Sequence, residues 1–418
     1  MRCEITVSTA HPDGRVFVNW APVEATAKIL DPVAGTGPIQ VTIRSAGTLG
    51  RLVFADTRTD QGTPSLSVAL PRSGGKVKFF VAGQFGFPST SYGDAVIEAI
   101  AASTSEQLAS VPVMVRIRKN ANQMAPPERD RFVAAFGTLN GNGIGRFKDF
   151  RGVHVGPPAS DEAHFARGFL PWHRAYLLDL ERELQAIDPT VALPYWRFDQ
   201  AAPNVFTPDF MGLPDNSGVV QFSPGHPFTS WSTDGAIGID RAFRTFTPGT
   251  APPLRSELST IALGGNGNTF EGFTTMEGDP HGSAHTSFQP TASIFRIPSA
   301  ARDPLFFLLH ANVDRLWAKW QWVKRRTNPT LTAAFPTAPP ARVGHNLADT
   351  MWPWNLVVTP PRPIVAPGGA LAPSLETPLP GASPTVASMI DHLGVHDTRG
   401  LGFAYDDVPF ELETLNVS

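Results

Sequence analysis

The 418-residue chain reads as a multidomain protein. Its sequence predicts an N-terminal antiparallel β-sandwich over 1–118 and a mainly α domain with long loops over 119–418. Three observations lead to that expectation. Short β-branched and aromatic runs recur at roughly ten-residue intervals in the first part of the chain. Past residue 120 the apolar residues take a helical period, with Asp, Pro or acidic residues at the starts. Between the helical runs lie irregular stretches that draw on 41 Pro and 37 Gly, more turn formers than a plain helical bundle needs.

The expected strands are RVFVNW (15–20), ATAKIL (25–30), IQVTIRS (39–45), RLVFADT (51–57), SLSVAL (65–70), KVKFFVAG (76–83) and VPVMVRIRK (111–119). AVIEAIAA (95–102) fits a strand or a short helix equally well. Gly14, Pro38, Gly47, Pro64 and the Gly74-Gly75 pair punctuate these runs as turns. His11 stands alone here and reads as a solvated loop residue.

The helical half begins with PPERDRFVAAFGTL (126–139), which has Pro at its start and acidic residues in its first turn. PWHRAYLLDLERELQAI (171–187) places His173, Leu177, Leu180 and Leu184 on one stripe. DPHGSAHTSF (279–288) offers Asp279 as N-cap and Pro280 in the first turn, with His281 and His285 one turn apart. DPLFFLLHANVDRLWAKWQWVKRR (303–326) repeats the Asp-Pro start and puts His310, Asp314 and Trp317 on one face. The stretches 200–270 and 327–385 read as long loops around the helices, with disorder expected in parts of 360–385.

Composition excludes several function classes. A formal net charge of −3 gives no electrostatic case for nucleic acid. No apolar run is long enough for a membrane span. The start, MRCEITVSTAHPDG, lacks the apolar segment of a signal peptide, which suggests a cytoplasmic protein or a leader already removed. Cys3 is the only cysteine, so an intrachain disulfide is impossible.

The histidines point to the chemistry. Of the 11 in the chain, His154, His164, His173, His281, His285 and His310 fall in or beside helical contexts, and His164 and His173 have neither Cys nor carboxylate at matching spacing. The HxxxH of 281–285 lacks the glutamate with which a zinc protease helix supplies its base. Imidazole-only ligation suits copper, and two sets of three suit two adjacent copper ions.

FLPWHRAYL and DPLFFLLHANVDRLW resemble the two copper-binding signatures of the tyrosinase, catechol oxidase and haemocyanin family of coupled binuclear, type-3 copper proteins. LPYWRFD (193–199), MWPWN (351–355) and GLGFAYDD (400–407) extend the resemblance over roughly residues 115–410. It implies a tyrosinase-like domain, a four-helix bundle bearing the copper pair, with an additional N-terminal β-domain. His154, His164 and His173 would bind copper A, with His226 the alternative to His154; His281, His285 and His310 would bind copper B. The implied cofactor is two copper ions, with O2 as co-substrate and a small phenol as the partner. The expected reaction is oxidation of o-diphenols (catechols) to o-quinones. Alternatives are an o-aminophenol oxidase, a full tyrosinase that hydroxylates monophenols, a haemocyanin-like O2-binding protein, and a form covered by its β-domain. The oligomeric state is not legible.

The resemblance also assigns neighbours. Glu271, in FEGF, is similar to a family glutamate that holds a water for phenol deprotonation, and Glu277 is the alternative. Relatives good at hydroxylation carry asparagine directly after the first copper B histidine; Gly282 stands there, which favours diphenol oxidation. Asp314 is expected to orient the His310 imidazole or to pair with an arginine. Phe306 would pack on the ligands, and Ile297 would restrict access on the copper A side. Leu309 replaces an extra histidine of many relatives. A thioether to a copper A ligand is not expected, Cys3 being remote. His345, His392 and His396 lie outside the signatures, and the last two read as solvated.

Overall fold

The computed structural model describes residues 1–32, 34–155, 161–337, 342–355, 369–396 and 399–412. The disorder expected in 360–385 falls partly on 360–368, outside the described residues.

Alternation of apolar and polar residues builds the first half. Nine strands form there: β1 (Cys3–Val7), β2 (Val16–Val18), β3 (Val23–Ile29), β4 (Ile39–Gly47), β5 (Leu52–Ala55), β6 (Ser65–Leu70), β7 (Val77–Gly83), β8 (Ala95–Ala101) and β9 (Gln107–Val115). In β8 every second residue, Ala95, Ile97, Ala99 and Ala101, is buried, so a period of two decides for a strand over a helix. The strands make a four-stranded sheet in the order β1-β3-β7-β5 and a five-stranded one in the order β2-β9-β8-β4-β6. Inward residues such as Ile29, Ile43, Phe79, Val81, Ile97 and Val113 share one apolar core.

Two details depart from the sequence expectation. CEITV pairs along β3 (Cys3↔Ile29) as a strand that had no reading of its own. The sandwich is also not wholly antiparallel: β2 lies parallel to β9, with Val16 opposite Val113. The chain leaves β1 in one sheet and enters β2 at the edge of the other.

The compact unit containing these strands comprises Met1–Ile117, Ser374–Leu379 and Leu393–Ser418. Leu393 and Ala404 are buried in the sheet core, and the Trp20 indole donates to the Tyr405 carbonyl at 2.8 Å. The buried Arg116 pairs with Glu376 at 2.5 Å. These C-terminal segments therefore differ from the expected 119–418 assignment, because their apolar residues are spent on the strands.

The other unit, Arg118–Pro373 with Pro380–His392, contains four longer helices: α1 (Pro126–Asn140), α2 (Phe147–Val155), α3 (Phe169–Ile187) and α4 (Leu305–Lys324). Glu128 caps α1 by accepting from the Ala125 amide at 3.0 Å, and Gly141 ends it at φ 51°. Asp303 opens α4 by accepting from the Leu305 amide at 2.9 Å, while pairing with Arg241 in a fully buried site. Helices α3 and α4 pack together, and α1 packs on α3. Where the resemblance implies a four-helix bundle, these four helices account for only part of the unit. Much of the rest is loop, with two-residue hairpins at Leu213–Pro214/Val220–Gln221 and Ser232–Thr233/Ala236–Ile237.

Candidate metal centre

Each half of the centre draws its histidines from differently built backbone. His154 lies near the end of α2 and His173 in the second turn of α3. His164 sits between them in the irregular 163–168 segment. His310 comes from the middle of α4, whereas His281 and His285 stand on short turns at Gly278–Gly282 and Ser283–His285. Asp279 does not cap this segment as expected. It is extended (φ −144°, ψ 117°), and its carboxylate pairs with Arg255 at 3.3 Å.

The structure gathers the six into two groups, His154–His164–His173 and His281–His285–His310. Within each, one ligand atom per residue lies within 4.8 Å of the others. His226 joins neither: it stacks on Phe222 at 4.8 Å and accepts from the Phe228 amide.

Hydrogen bonding orients the rings. His154 Nδ1 faces the Ile297 carbonyl at 3.1 Å, and His173 Nδ1 faces that of Phe169 at 2.9 Å. His281 Nδ1 faces the Glu277 carbonyl at 2.7 Å, and His285 Nδ1 that of Ile294 at 2.6 Å. A carbonyl can only accept, so each of these four nitrogens carries the proton and leaves its Nε2 lone pair free to bind metal. The buried Nε2 atoms of His154 and His173 have no hydrogen-bond partner. In the second group, Nε2 of His281 lies 3.1 Å from that of His285 and 3.3 Å from that of His310. Lone pairs converging at such distances repel one another unless a cation lies between them. The donor sets therefore fit two metal ions.

Burial keeps the rings neutral. It is the first cause holding His154, His173, His281 and His310 well below the usual imidazole range, with neighbouring histidines adding to it. Burial likewise lowers His285 to about 4, against the Ile294 carbonyl. Neutral imidazole is the form that binds metal.

Aromatic side chains fix the rings from behind. Phe306 lies 4.2 Å from His310 and 4.7 Å from His154 between ring centres, and is fully buried. His173 stacks on His310 at 4.2 Å, so the two groups share a wall. Phe169, which had no assigned role, packs against both His173 and His281 at 4.8 Å.

A cavity of about 530 Å³ opens over the groups, lined by five of the histidines with Phe165, Glu277, Gly282, Phe295, Ile297 and Phe306. Ile297 thus borders the expected approach and also holds His154 through its carbonyl. Glu271 does not line this cavity. It is largely exposed and paired with Arg167, because FEGF begins a surface turn capped by Thr269. Glu277 is the carboxylate at the cavity: it accepts from the Phe165 amide at 2.6 Å, and burial raises it to about 7 against that bond.

Asp314 takes the arginine alternative. It accepts from Arg174 at 2.5 Å and from Arg118 at 3.2 Å, while His310 Nδ1 has no hydrogen-bond partner. His392 is buried rather than solvated, and His396 is exposed. Leu309 is fully buried. Among the carbonyl partners, Phe169 and Glu277 stand four residues before their histidines, a spacing legible in sequence. Ile294 follows His285 by nine residues and Ile297 approaches His154 from a distant segment, and neither spacing leaves such a signal.

Residues 144–323, which include all six histidines, match the common central domain of tyrosinase. The chain is 33% identical over 271 residues to a tyrosinase of Streptomyces glaucescens, covering 57% of this chain and 92% of that one. It is 29% identical over 300 residues to the grixazone synthase of Streptomyces griseus, covering 58% and 94%. A functional unit of octopus hemocyanin aligns over 70% of this chain and 69% of its own, at 18% identity and a TM-score of 0.43. With nearly the whole of a bacterial tyrosinase matched and both histidine groups inside the matched domain, the chain belongs to the tyrosinase family and is a type-3 copper oxidoreductase with a binuclear copper cofactor.

Proposed function

We propose that this copper phenol oxidase acts on o-diphenols, with monophenol hydroxylation much the weaker activity. Two catechols and one O2 balance to two o-quinones and two waters, and bound copper supplies the electron transfer between phenol and oxygen. The protein's residues do the rest. His154, His164 and His173 would hold copper A and His281, His285 and His310 copper B, each through a neutral imidazole. Phe306 and Ile297 form apolar walls that limit water beside the reacting atoms, and Phe165 stands at the cavity rim.

The observation that carries the preference concerns the proton. A monophenol must be deprotonated before its ring is hydroxylated, which calls for a base or a held water at the cavity. The carboxylate there, Glu277, is already engaged by the Phe165 amide, and Gly282 has no side chain to hold a water beside it. A catechol needs no new C–O bond and makes a smaller demand on such a base. The cavity also has room for a small aromatic ring above the histidines, which favours an enzyme over an oxygen carrier.

Copper-loaded protein given catechol and tyrosine in separate assays tests the reading. Quinone should form rapidly from catechol and at a small fraction of that rate from tyrosine. Comparable rates would overturn the diphenol preference, and reversible oxygen binding without turnover would replace the enzyme by a carrier.

A further inference from the structure

We propose that His345 is a positioning residue for His164: its imidazole staples together the two ends of the loop that carries this ligand. The inference rests on reading His154, His164 and His173 as one copper site. The other two members of that group are held on helices, whereas His164 belongs to the irregular 163–168 segment, so what restrains that segment also places this ligand.

His345 supplies that restraint. His345 is 1% exposed. Its Nδ1 accepts from the Gly168 amide at 2.8 Å, and its Nε2 faces the Asp161 carbonyl at 2.9 Å. An amide can only donate and a carbonyl only accept, so one neutral tautomer, protonated on Nε2, satisfies both ends at once. The loop closes tightly around this ring. A Cβ added at Gly168 would fall 2.3 Å from the Glu162 carbonyl oxygen and 3.0 Å from His345 Nδ1, and one at Gly344 would fall 2.8 Å from the Glu162 carboxylate. Glu162 in turn accepts from the Trp352 amide at 2.9 Å. A second tether reaches the residue after the ligand, where the Phe165 amide donates to Glu277. His345 lies outside the matched family domain, 144–323, and touches the loop rather than the metal ligands.

Two variants separate positioning from bulk stability. In His345→Gln the amide oxygen can accept from Gly168 and the amide nitrogen can donate to Asp161. In His345→Asn the chain is one methylene shorter and cannot span both. Each full-length protein is loaded with copper, challenged with a graded chelator, and assayed for copper per chain. Wild type and His345→Gln should keep two ions over the same chelator range. His345→Asn should keep one and release the other about 10- to 100-fold more easily, the usual effect of losing a group that orients a ligand. Retention of both ions by His345→Asn at wild-type strength overturns the proposal. So does loss of both ions together, or equal loss in the two variants, since either marks a general structural role. A wild-type protein that binds no copper would instead sink the metal-centre reading beneath it.

Discussion

Gly282 shows how one residue can tune chemistry without touching the fold. Its backbone is helical (φ −59°, ψ −36°), and the first atom an added Cβ would meet is the Glu277 carbonyl oxygen at 3.4 Å, an ordinary contact. A side chain is therefore tolerated there, and its absence leaves Glu277 without a partner for holding water. Gly282→Asn should raise the tyrosine rate relative to the catechol rate by about tenfold or more, short of the roughly 10²–10⁴ of a fully positioned base. Initial rates on the two substrates check this, and an unchanged ratio with copper intact would contradict it. The residue scale is also where the sequence was hardest to read. The six histidines stood out by type and spacing, and Gly282 only through the family resemblance. Glu271 and Glu277 could not be separated, because solvent exposure and not residue type decides between them.

At the scale of elements, α3 and α4 are joined by buried charge as well as by apolar packing. Asp314 of α4 receives Arg174 of α3 and also Arg118, whose guanidinium pairs with Glu181 of α3 at 2.7 Å. The Arg174 guanidinium lies 3.7 Å above the Trp317 ring, which places that cation on the helix carrying His310. Asp314→Ala removes a carboxylate from two buried cations, a change that costs about 3–5 kcal/mol in comparable settings. A denaturant midpoint measured on the copper-free protein should fall accordingly, and a loss under about 1 kcal/mol would mean the network relaxes without it. Both helices were legible from their periodicity and Asp or Pro starts. The Asp314 pairing was only half legible. A carboxylate one turn from a ligand suits a metal site and an ion pair alike, and Arg118 and Arg174 meet it only in the folded chain.

For the whole molecule, the change of period near residue 120 separated strands from helices, and every expected strand forms. What stayed hidden was nonlocal: the parallel β2–β9 pairing, and the return of 374–379 and of Leu393 and Ala404 to the strands. No local pattern encodes which core a loop residue such as Leu393 or Ala404 will fill. The centre itself was legible because metal ligation restricts residue type, while the carbonyls that set its tautomers come from backbone, which sequence does not distinguish. Protons and copper compete for the same imidazole nitrogens, and the sign of the pH effect follows from burial. Rings held below their usual range take up protons only in more acidic solution. Copper should therefore stay bound as pH falls through the usual imidazole range and leave only in clearly more acidic solution. Copper per chain, measured after loading and dialysis from neutral to acid pH, should read two ions at pH 7, release in acid, and one ion with no oxidase activity in His310→Ala. Fewer than two ions in the wild-type protein at pH 7, or two ions and full activity in His310→Ala, would contradict the binuclear centre.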